Sequence, residues 1–588
     1  MTFRRDPGLI VALAFALATL GGCEQAGSDR PLLEEARFQL ERGDALAAQV
    51  QLEQALATGT PREELAALFG ESALLTGDLG VAREWLGPGE FSEGSAAAGF
   101  QLLGRLEMAE GNLPAAGAAF DRSYRVEPDN AGLWVDIGRL RYRGGEQFEA
   151  IAAAERALSI DPNDAEALRF RGQLARDAQG LETGAELLGR ALERQPQNIE
   201  LRVEYAATLG DAGRARDALR VLRAEGGRAA STPRGMFVQA VIAARGGNFR
   251  SARDLLARSG LASDNVASAL LLSGLIALND GNYASAALTF DRLHRRQPDN
   301  RRVGDLLAYA LSRSGGEREL VHRFAAPASN GAGSTYLRLL VGRAYEALGE
   351  RERAAKFLDL AAFGPSELAV LPGLTPRASL AVSPDMGGLE IRDYVRHAIA
   401  SEDAMAAVGR ARSFAQRFPG SGDAQAILGD AEFARGDKGA ARAAYARSAL
   451  VRRSWPLTLR LAAAQEDAAE TRRLLESYVR DNPMNAEAAA LLADAFAAAG
   501  DWERAAQLLD HAMALGMARV PWVLAARSIA AAELEDNDAA LDYALAAHEL
   551  QPMNPLAIAA LIDALPESEG AARSELETKL RSVSASPR

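Results

Sequence analysis

An all-α solenoid of about fifteen helix-turn-helix repeats is the fold class this sequence predicts, on three observations. Small residues recur in registered columns. Alanine dominates the apolar residues while aromatics make up only 6%, a balance that suits close-packed helices better than sheets. Glycine and proline fall at fixed points of a period.

The columns set the period. Gly43, Gly77, Gly111 and Gly145 lie 34 residues apart; the next step lands on Gln179, and Gly213, Gly247, Gly281, Gly315 and Gly349 follow in phase. Five residues after each stand Ala48, Ala82, Ala116, Ala150, Gly184, Ala218, Ala252, Ala286, Leu320 and Ala354. Seven residues before each stand Ala36, Gly70, Gly104, Gly138, Gly172, Ala206, Ala240, Gly274, Ala308 and Gly342. The phased glycine ends one helix and turns the chain. The small residues on either side let two antiparallel helices approach, and Phe120, Leu188, Leu222, Phe290 and Leu358 fill the remaining gaps. Pro128, Pro162, Pro196 and Pro298 share one phase and stop a helix from running into the next unit. Ten units keep strict phase from about 29 to 368, five follow near 388–421, 422–451, 452–485, 486–519 and 521–554, and 555–583 reads as a capping helix pair.

The unit "GLWVDIGRLRYRGGEQFEAIAAAERALSIDPN" resembles the tetratricopeptide repeat, with Trp134, Ile137, Gly138, Ala150, Ala157 and Pro162 on its signature positions. The resemblance implies a right-handed superhelical solenoid that binds partners on a concave face lined by the first helix of each unit. It specifies a scaffold, so function has to be argued from the surface.

The amino-terminal stretch carries a separate signal. Arg4 and Arg5 precede an apolar run from Leu9 to Leu20, which is too short to cross a bilayer as a helix and has the anatomy of a signal peptide. Leu20-Gly21-Gly22-Cys23 resembles a bacterial lipobox, and Cys23 is the only cysteine in the sequence. The resemblance implies cleavage before Cys23, lipidation of Cys23, and a place on the periplasmic face of the outer membrane, with the inner membrane as the alternative. Two or three acyl chains together anchor a protein stably where one does not. The expected organisation is therefore a signal peptide at 1–22, an anchor and tether at 23–30, a solenoid at 31–364, and a Pro/Gly-rich insertion at 365–387. A second solenoid at 388–554 and capping helices with a tail at 555–588 complete it. The insertion lies in "GPSELAVLPGLTPRASLAVSPDMGG", where continuous helix is not expected; it is a tolerated surface insertion, a hinge or a partner-binding loop.

The net charge of −13 makes the protein a poor general binder of nucleic acid. Lysine occurs only at Lys356, Lys438 and Lys579, so nearly all positive charge is arginine. Neither a phosphate-binding glycine loop nor a nucleophile elbow occurs, and His294, His322, His397, His511 and His548 are scattered without metal-ligand spacing. No cofactor, metal or enzymatic activity is expected.

Helical spacing places a set of first-helix residues on one strip. In units three to five these are Gln101, Arg105, Arg139, Tyr142, Arg143, Arg169, Gln173 and Arg176. Arginine forks grip carboxylates in pairs, so such a strip suits an acidic peptide, the carboxyl terminus of a partner polypeptide or an acidic polysaccharide. The competing expectation is that these arginines pair with neighbouring Asp and Glu. In units seven to ten the strip carries Phe237, Val241, Leu271, Leu275, Tyr309 and Leu339, which suits an apolar segment unless the winding of the array covers it. The functional expectation is a non-catalytic periplasmic scaffold in an envelope machine, with exopolysaccharide export or an associated sorting system favoured by resemblance to long repeat lipoproteins. A periplasmic carrier or chaperone is the alternative.

Overall fold

The structure, a computed structural model, describes residues 31–329, 333–362 and 387–584. The lipobox with Cys23, and the insertion at 365–387 apart from Gly387, lie outside the described residues. Among the described residues the regular structure is entirely helical. Ten antiparallel helix pairs run between Leu32 and Ala362, five between Gly388 and Leu550, and Pro555–Ala564 with Gly570–Ser584 close the array. Within each run, successive helices pair antiparallel, as the repeat pattern leads one to expect. None of the described helices is long and apolar enough to cross a membrane.

The expected columns are where the helices turn and touch. Gly77 caps the Arg62–Thr76 helix in the left-handed conformation at φ 79°, and the in-phase glycines adopt the same conformation. Gln179, the one interruption, stays right-handed at φ −109°, and Gly180 takes the positive φ instead. Two units with no glycine at the turn use Glu402 at φ 60° and Glu535 at φ 61°, a conformation that costs a non-glycine residue about 1 kcal/mol. Asp or Asn commonly follows the turn and caps the second helix: Asp44 accepts from Ala47 N at 3.0 Å and Asn248 from Ser251 N at 3.1 Å.

Ala48, Ala82, Ala116, Ala150, Ala218, Ala252 and Ala286 are all 0% exposed, so the small column is the seam between the two helices of a pair. Glycines of the earlier column receive a large side chain from the second helix. A Cβ at Gly342 would lie 2.7 Å from Leu358, and one at Gly104 would overlap the Phe120 ring. The core is therefore a series of small clusters, each shared by adjacent repeats.

The array divides into two compact units, one ending at Leu140 and one beginning at Arg141. Within the second unit, pairs far apart in sequence also meet. Phe148 N donates to Gly420 O at 3.3 Å, Gly422 N donates to the Gln147 side chain at 2.9 Å, and Arg453 N donates to Asp177 O at 2.8 Å. Arg302 pairs with Glu487, and Gln551 Nε2 donates to Ala361 O at 3.3 Å. Helices before and after the Pro/Gly-rich stretch thus share a polar seam.

Candidate functional site

The first-helix strip is built on buried carboxylates. In the first unit, Ala96–Ala109 presents Gln101 and Arg105, one turn apart, and Ala131–Arg143 presents Asp136 and Arg139. Gln101 Nε2 and Arg105 Nε both donate to Asp136 Oδ2 at 2.6 Å. Arg139 Nη1 lies 3.6 Å from Asp136 Oδ1. Asp136 is 1% exposed, so three polar side chains converge on one charge that water does not reach.

The same arrangement recurs two repeats later, in the second unit, with the donor types exchanged. Ala165–Ala178 presents Arg169 and Gln173, and Ile199–Asp211 presents Glu204. Arg169 Nε donates to Glu204 Oε2 at 2.9 Å, and Gln173 Nε2 donates to Glu204 Oε1 at 2.7 Å. Arg169 also lies 3.7 Å from Glu166 and 3.9 Å from Glu200. Arg176 lies 3.7 Å from Asp177. Tyr142 and Arg143 remain exposed; the Tyr142 phenol is pushed above its usual range by partial burial and the nearby Asp177 carboxylate.

Sequence reasoning found the donors of these clusters and missed the acceptors. Asp136 and Glu204 are two repeat lengths apart, each on a first helix one unit after its donors. That coincidence of register was the available signal. Buried carboxylates on first helices recur further along: Asp430 accepts from Tyr445 Oη at 3.0 Å, and Glu432 accepts from Arg412 at 2.7 Å and lies 2.6 Å from Arg435.

The apolar strip is largely packed down. Phe237 and Val241 lie against the cluster of Ala240, Leu256, Leu272 and Ile276, and Leu271 and Tyr309 lie against the next one. Leu339 is half-buried, and Leu275 is 38% exposed. The strip also holds a carboxylate that sequence reasoning passed over. Asp305 occupies the register of Phe237 and Leu271. The Ser334 hydroxyl lies 3.0 Å from each of its oxygens, and burial pushes its carboxyl up to about 6.

A model of the tetratricopeptide repeat matches residues 102–165, 237–301, 395–456 and 459–517. Among solved structures the protein is similar to the hetero-tetramer Cut9-Hcn1 of APC/C, at 15% identity over 91% of its own length and 96% of the other, with a TM-score of 0.26. It is similar to the human IFIT1 dimer with PPP-AAAA, at 15% identity over 65% of its own length and 90% of the other, with a TM-score of 0.34. A thermophilic tetratricopeptide protein of Thermus thermophilus, TTC0263, is 24% identical over 30% of this protein and 97% of its own length, with a TM-score of 0.26. No curated protein matches the sequence.

Proposed function

We propose that this array of tetratricopeptide repeats is a non-catalytic scaffold lipoprotein, anchored through Cys23 at the periplasmic face of the outer membrane. In this reading it organises proteins of an envelope machine, with exopolysaccharide export or its associated sorting system the favoured setting. The observation that carries the scaffold reading is the use made of the buried polar groups. Asp136 and Glu204 tie one repeat to the next rather than facing an enclosed reaction centre. Such an array offers a series of repeated surfaces, which suits holding several partners. The anchor reading is supported by the Leu20-Gly21-Gly22-Cys23 sequence and by the absence of any other cysteine from the sequence.

The anchor is tested by Cys23→Ser. The variant is expected to lose metabolic labelling with palmitate and to leave the membrane fraction or accumulate uncleaved. A lipidated, processed form of the variant would overturn the lipobox reading. The scaffold is tested by crosslinking in intact cells followed by purification. A stoichiometric set of envelope proteins is expected, whereas a mixed population of weakly held clients would favour a carrier.

A further inference from the structure

Beyond the scaffold reading and its first-helix strip, one second helix carries arginine that has no ion-pair partner among the described residues. Residues 213–235 hold six arginines against Asp217 and Glu225, in a protein of net charge −13. The Ala215–Arg223 helix packs through Ala218 and Leu222, both 0% exposed. Arg216, Arg220 and Arg223 are exposed at spacings of four and three residues, so they share one face. With Leu219 and Ala224 they line an open cavity of about 550 Å³. Arg220 lies 2.9 Å from Asp217, whereas Arg216 and Arg223 make no hydrogen bond or ion pair among the described residues.

The repeat itself does not call for these residues. The position of Arg223 is occupied in phase by Glu53, Asp121, Glu155, Asp291 and Asp359, and no other unit of the strict phase has a basic residue there. Directly after the helix the backbone breaks the period: Glu225, Gly226 and Gly227 adopt φ of 52°, 72° and 74° in succession. Two 3-10 turns then lead to the Pro233–Arg245 helix, and together these segments leave the end of the arginine face open.

We propose that this face is a docking site for an acidic segment of a partner polypeptide. The guanidinium groups supply charge-assisted donors for Asp or Glu carboxylates. The Leu219 and Ala224 floor gives an interspersed apolar side chain a place to bury, which a uniformly polar polysaccharide lacks. Arg216 and Arg223 are separated by roughly 10 Å along the helix, a span that about three residues of an extended peptide cover.

The test measures binding of a fluorescein-labelled peptide, Glu-Leu-Glu-Glu-Leu-Glu, to the full-length protein by fluorescence anisotropy at low salt. The neutral counterpart Gln-Leu-Gln-Gln-Leu-Gln is the control. Arg216→Ala with Arg223→Ala is expected to weaken the acidic peptide by about tenfold or more and to leave the melting curve unchanged. Arg223→Glu, which installs the residue other repeats carry at this position, is expected to fold normally and to weaken binding as well. Unchanged affinity in these variants would overturn the proposal, as would equal binding of the neutral peptide. A heparin-derived oligosaccharide that binds these arginines while the acidic peptide does not would also overturn it, in favour of a polysaccharide.

Discussion

The strip of Gln101, Arg105 and Arg139 and the outer face of the Ala215–Arg223 helix are both rich in arginine, and the molecule uses them in opposite ways. In the first, Arg105 and Arg139 surround Asp136, which is 1% exposed. In the second, Arg216 and Arg223 stand in solvent with no acidic partner among the described residues. Removing one partner of a buried charge cluster leaves the other charge stranded, while removing an exposed unpaired arginine strands nothing. The role of an arginine here depends on whether a first helix, its own or the next, offers it a buried carboxylate.

The largest expected effect comes from breaking the first cluster. Asp136→Ala leaves Gln101, Arg105 and Arg139 without their shared acceptor and is expected to destabilise the array by about 3 kcal/mol or more. Guanidinium denaturation measures the loss, and hydrogen exchange locates it in Ala96–Ala109 and Ala131–Arg143. A neutral result would remove the contrast between the two regions.

A smaller effect is expected from Arg139→Ala combined with Arg169→Ala, because Asp136 and Glu204 each keep another donor in Gln101 and Gln173. A loss of about 2 kcal/mol, read as an earlier melt, would place these arginines within the fold. An unchanged melt together with loss of crosslinked partners would assign them to the partner surface instead.

Asp305 sharpens the comparison from the acid side. Glu204 has Arg169 and Gln173, whereas Asp305 has the Ser334 hydroxyl, and its carboxyl is pushed up to about 6 by burial. A carboxyl raised on folding favours the native state when protonated. Stability from this group is therefore lost as pH rises from about 3.8 to about 6, and the cost is complete above that. Asp305→Asn is expected to raise stability at pH 7 by about 1–2 kcal/mol, given that the residue is only half-buried, and to change nothing below about pH 4. Melting the variant and the parent across that range checks both the sign and the window. The smallest change expected is in the melting of the Arg216→Ala, Arg223→Ala variant, within about 0.5 kcal/mol of the parent.

Much of the fold was legible because its determinants are local. The phased glycines mark turns since positive φ is sterically open to glycine, and the phased alanines mark the seam since only a small side chain fits there. Even the interruption at Gln179 was visible, although only the structure shows that Gly180 takes over the left-handed turn. The two charge clusters were half legible. Helical spacing put Arg105 and Arg169 at equivalent positions of their first helices, but their acceptors sit on the next first helix, about one repeat away, where spacing along a single helix gives no information.

By itself, the sequence determined the period, the positions of the turns, the small-residue seam between paired helices and the concentration of arginine at 213–235. Tertiary structure alone decided which arginines are neutralised by Asp136 and Glu204 and which, on the Ala215–Arg223 helix, have no acidic partner among the described residues. It also decided that Phe148 meets Gly420 and that Asp177 meets Arg453. Turn and packing preferences act within one or two repeats, so a repeating pattern encodes them. Charge pairing between layers, and contact between helices many repeats apart, depend instead on the distances that stacking leaves between side chains, to which electrostatic free energy is acutely sensitive in a dry interior.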